Sequence, residues 1–157
     1  MRIAMGAAAA GVALALAGAA RAEPQVIVKC DGPLTDAMRF THDTGWKPFP
    51  NPDAGVTITR DKGRFGIEVK GEDSYSSSAV LPMPLQNPKS FKVLRGTGNE
   101  LFHLEKGDGG KPVLKHTIRG GRDGSHVYNI REMILANCSV VAPDVVVSEP
   151  GAADTGG

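Results

Sequence analysis

The sequence predicts an all-β fold, a small antiparallel meander barrel or sandwich of about seven or eight strands, with one short helix allowed near the C-terminal cysteine. Three observations carry this expectation. Apolar and polar residues alternate with period two over several runs, glycine-bearing turns recur between those runs, and two proline-rich segments interrupt them. The chain has 157 residues, 41% hydrophobic and 22% charged, which suits one modest domain and leaves no room for two full-sized ones.

Residues 1–22 stand apart. Arg2 precedes an uncharged, Ala-rich run from Ile3 to Ala20, and Ala20-Arg21-Ala22 has the A-x-A form of a cleavage site, so a signal peptide is expected to end at Ala22. No later stretch is apolar enough to span a bilayer, and the expected location is periplasmic or secreted. Domain 23–142 would be the single β domain, and 143–157, rich in Pro, Gly, Ala and acidic residues, a disordered tail. In an exported chain the two cysteines, Cys30 and Cys138, pair most economically with each other. Such a bridge closes nearly the whole domain and stabilises by about 4 to 5 kcal/mol in the chain-entropy picture.

Along the domain, Gln25 to Cys30 is the first strand. Val56 and Ile58 alternate with polar neighbours, as do Phe65, Ile67 and Val69. A two-residue Lys62-Gly63 loop pairs Ile58 with Ile67 and Val56 with Val69, keeping every apolar side chain on one face. Phe91 and Val93 are expected opposite Leu104 and Phe102 across a Gly96-Thr97-Gly98-Asn99 turn. In the strand from Pro112 to Arg119, matching Leu114 to Phe102 turns Lys115 and Arg119 outward. His126 to Ile130 returns as strand, and 131–136 is nearly tied between helix and strand. The segments 48–52 and 82–88, each with three prolines, read as loops over a rim.

Charge is unevenly spread. Without Arg2 and Arg21 the balance is about −1, yet Gln86 to Arg131 carries nine basic and four acidic residues. This block contains the candidate binding residues Lys92, Arg95, Lys106, Lys111, Lys115, Arg119 and Arg122. Cations repeated at strand faces and turns can meet an anionic envelope polymer or an acidic protein. The near-neutral total gives no specific nucleic-acid signal.

Chemical motifs are sparse. His42, His103, His116 and His126 are possible metal ligands, but phasing sets His103 opposite in face to His116, so at most His116 and His126 converge, which leaves a zinc site incomplete. Ser76-Ser77-Ser78, Ser125-His126 and His42-Asp43 offer starting points for a hydrolase, and none sits in G-x-S-x-G. The turns holding Asp108 and Asp123 lack calcium-loop spacing, there is no phosphate-loop motif, and no cofactor is expected. In plan, a small exported β domain tied by a terminal disulfide resembles the periplasmic lysozyme-inhibitor barrels, although Ser74-Tyr75-Ser76-Ser77 departs from their S-G-x-x-Y motif. The expectation is therefore a noncatalytic envelope binding protein, with an envelope enzyme inhibitor and a small secreted hydrolase as alternatives.

Overall fold

The computed structural model describes residues 23–32, 37–41, 43–71, 74–95, 98–123 and 126–151; the expected signal peptide lies outside the described residues, as do the side chains of Arg95 and of residues 121–129. Among the described residues, eleven strands form one antiparallel sheet curled into a half-barrel. They are β1 (Gln25–Asp31), β2 (Met38–Thr41), β3 (Gly45–Pro48), β4 (Gly55–Asp61), β5 (Arg64–Lys70), β6 (Tyr75–Met83), β7 (Ser90–Arg95), β8 (Gly98–Lys106), β9 (Pro112–Asp123), β10 (His126–Leu135) and β11 (Cys138–Val140). Their order across the sheet is β11-β1-β4-β5-β6-β7-β8-β9-β10-β2-β3.

The count exceeds the expected seven or eight, because the short β2–β3 hairpin and β11 pair with strands distant in sequence rather than with their chain neighbours. The helix allowed near Cys138 is also corrected. Residues 131–135 belong to β10, which is held between β9 and β2, and two ladders outweigh a modest local helix preference. Among the described residues the helical content is a single 3-10 turn at Asp108–Gly110.

The β4–β5 hairpin has the expected register, Val56 opposite Val69 and Ile58 opposite Ile67. Lys62 and Gly63 both have positive φ, 49° and 78°, as a type I′ turn requires. The β7–β8 and β8–β9 registers differ from expectation by two residues. Phe91 faces Phe102, Val93 faces Glu100, Phe102 faces His116 and Leu104 faces Leu114. β8 already begins at Gly98, opposite Arg95, so two residues rather than four connect β7 to β8. Glycine is needed there, because a Cβ on residue 98 would stand 2.6 Å from the carbonyl oxygen of Arg119.

Inside the curl, Ile27, Ile58, Phe91, Phe102, Leu104 and Leu114 are fully buried. Cys30 and Cys138 lie directly opposite each other on β1 and β11 and form the disulfide, closing a span of 108 residues. Beyond β11 the chain does not leave the domain at once. Val141 N–H donates to Ile27 C=O, Val146 N–H to Pro88 C=O and Ser148 N–H to Leu104 C=O, so residues 141–148 run as a strap from β1 to β8. Its own Ala142 and Val145 are buried against the core, and ion pairs Arg60–Asp144 and Lys106–Glu149 fasten it.

Candidate functional site

Alternation about Leu114, which is fully buried, turns Lys115, Thr117 and Arg119 to the outer face of β9. Phe91 and Val93 are buried on either side of Lys92, which therefore faces outward from β7. Register then fixes their relation, since Lys92 pairs with Leu101 and Leu101 with Thr117. Lys92 lies two strands, about 10 Å, from a point midway between Lys115 and Arg119, themselves about 13 Å apart along β9. The three cations form one triangle on one face.

Lys106 and Lys111 are not gathered there. Lys106 is paired with Glu149 at the end of β8, and Lys111 follows the 3-10 turn as an exposed residue. Arg95 and Arg122 sit on β7 and β9, but their side chains lie outside what is described. Carboxylates border the triangle, with Glu105 Oε1 4.0 Å from Lys115 Nζ and Glu132 opposite Thr117 on β10. The row of Arg119 continues through Ile130 and Phe40 to Trp46, whose ring centroid is 5.4 Å from that of Phe40. An aromatic pair thus occupies the same outer face, on the edge hairpin.

Two polar clusters were missed by the sequence reading. Inside the curl, Glu100 Oε2 accepts hydrogen bonds from Tyr75 Oη (2.8 Å) and His116 Nε2 (2.9 Å), while the His116 ring stacks on Phe102 at 4.1 Å. Adjacent space amounts to about 20 Å³, lined also by Phe49, Arg131 and Met133, which is room for one water and no substrate. This is a hydrogen-bonded buried network that ties β6, β8 and β9 together.

The second cluster lies on the outer face under the strap. Ser148 Oγ donates to Leu104 C=O (2.8 Å), which leaves it to accept from His103 Nε2–H (2.7 Å). Ser90 Oγ–H then donates to His103 Nδ1 (2.6 Å). A serine on an imidazole is the arrangement of a nucleophile and its base. Here Ser90 is 0% exposed and His103 8%, so the arrangement fastens the strap and offers no entry to a substrate. The signal that could have found it was the two-residue connection before Gly98, since the true register sets Ser90 opposite His103.

Of the hydrolase starting points, Ser76, Ser77 and Ser78 lie on β6 beside a shallow groove with Thr59, Gly66 and Glu68. His42 and Ser125 lie outside the described residues. His116 and His126, the one pair the phasing left able to converge, stand apart, because His126 pairs with Asp123, seven residues along β9 from His116 and roughly 23 Å away. Among the described residues no three His, Cys, Asp or Glu side chains come together as a metal site. No protein-family model, curated protein or solved structure matches the chain.

Proposed function

We propose that the protein is an exported, noncatalytic binding protein of the cell envelope that recognises an anionic partner through the outer face of β7 to β9. The observation that carries this reading is the triangle of Lys92, Lys115 and Arg119 on one surface. Solvated cations at this spacing attract a multivalent anion, and their field acts without enclosure in a pocket. Export is supported by the A-x-A pattern at Ala20 to Ala22 and by the Cys30–Cys138 bridge, which persists in an oxidising compartment. N-terminal sequencing of the exported protein should begin at Glu23, and retention of Met1 would remove the export part of the reading.

Binding is tested with dextran sulfate and poly-L-glutamate as anionic probes. Affinity should fall steadily as salt rises, because exposed charges are screened over a Debye length of about 8 Å at physiological ionic strength. Lys115→Glu with Arg119→Glu should weaken it by roughly tenfold at low salt. The melting transition should stay in place, since neither residue is buried. Equal binding by the double variant, or no salt-sensitive binding by the wild type, rejects the reading.

A further inference from the structure

The outer face does not end at Lys92. On β6, Leu81 lies directly opposite Lys92, and Leu81, Leu85 and Leu94 are 51%, 81% and 63% exposed. They border a groove of about 590 Å³ whose floor and walls include Phe65, Ala79, Val80 and Pro82. Three leucines this exposed around one depression form an apolar patch of the sort that marks a contact surface, and the volume suits a few side chains. The charge within its lining has one sign, with Asp61 lying outside the lining, opposite Arg64 on β4. Arg64 lines the groove, Lys92 stands at its edge, and no described lining residue is acidic.

We propose that this groove docks an acidic protein segment, apolar side chains entering among Leu81, Leu85 and Leu94 while its carboxylates meet Arg64 and Lys92. The inference rests on the anionic-partner reading and narrows it to a class. A sulfated or carboxylated polysaccharide satisfies the cations but has no apolar side chain to withdraw from water into the groove. A bilayer is met by leucines that protrude together, whereas these surround a concavity. A segment crossing from the groove past Lys92 continues onto Leu101, Thr117 and Arg119 without leaving the face.

The test uses two labelled synthetic peptides of equal length and charge, one alternating Leu with Glu and the other Ser with Glu, against the disulfide-bonded protein. The Leu/Glu peptide should bind about tenfold tighter, and Leu85→Ser with Leu94→Ser should abolish that preference while leaving Ser/Glu binding unchanged. Both leucines are largely solvated, and an unchanged melting transition of the variant verifies that its fold is intact. Equal affinity for the two peptides, or no binding of the Leu/Glu peptide, overturns the groove assignment. So does leucine-dependent dimerisation in sedimentation, which would make a second copy the occupant, or leucine-dependent capture by phosphatidylglycerol vesicles, which would make it a lipid surface.

The two readings fail separately. Salt-sensitive binding of both peptides with no leucine preference rejects the groove and keeps the basic face. Leu/Glu binding that ignores salt and survives both Lys115→Glu with Arg119→Glu and Arg64→Glu with Lys92→Glu rejects the basic face and the acidic character of the docked segment, and so overturns the inference as stated.

Discussion

His103 and His116 lie on adjacent strands of one hairpin and both are buried, yet they owe their burial to different parts of the chain. His116 points into the curl, where Phe102 and Glu100 enclose it and the opposite wall of the sheet excludes water. His103 points outward, and what covers it is the strap, through Ser148. Water exclusion by the sheet requires the whole fold, whereas water exclusion by a strap requires only that a terminal segment stay docked. Equal burial therefore conceals unequal local stability.

The largest effect is expected in the inner cluster. Glu100→Ala strands Tyr75 and His116 without their shared acceptor in the core, and should lower global stability by about 3 kcal/mol in urea unfolding. A loss below about 1 kcal/mol would mean that water fills the space left by the carboxylate and satisfies both groups. In the strap cluster, Ser148→Ala should cost a smaller amount, about 1 to 2 kcal/mol, because it removes one acceptor from His103 and one donor to Leu104. Its sharper readout is chemical. Diethylpyrocarbonate should modify His103 in that variant while His116 stays unreactive, and equal reactivity of the two rings would erase the contrast.

The smallest effect concerns the fastening at Arg60. The hydrogen bond from Arg60, foremost, and its positive charge hold the Asp144 carboxyl below the usual carboxylate range. A group whose pKa is lower folded than unfolded stabilises fully above its unfolded value, and the contribution disappears as pH falls through the folded value. Acidification below the ordinary Asp range should therefore loosen the strap. Amide exchange at Val146, whose N–H donates to Pro88 C=O, should show this local opening beyond the general effect of pH on exchange chemistry. Arg60→Ala should remove the pH-dependent part, and an undiminished dependence would assign it to another group.

How much of this was legible depends on what each feature requires. The β4–β5 pairing was readable because Lys62-Gly63 both names the turn and fixes the register. For β7–β8 and β8–β9 the alternation gave the faces correctly but the pairing two residues off, since an even shift leaves every side chain on its side. That is why Lys115 and Arg119 were expected outward while the Ser90–His103 contact was missed. Glu100 was missed for a related reason, being a carboxylate in an inward phase whose partners come from β6 and β9.

From the sequence alone came the all-β class, the inward and outward faces, the Cys30–Cys138 pairing and the turn at Lys62-Gly63. These depend on local chemistry: side-chain period, a turn's need for positive φ, and the scarcity of thiols. The tertiary structure alone decided that β2 and β3 join β10, that residues 131–135 are strand, that the strap covers His103, and that Lys92 joins Lys115 and Arg119 on one surface. The first three depend on pairings between segments far apart in the chain and the last on the exact register of neighbouring strands, and local propensity fixes neither.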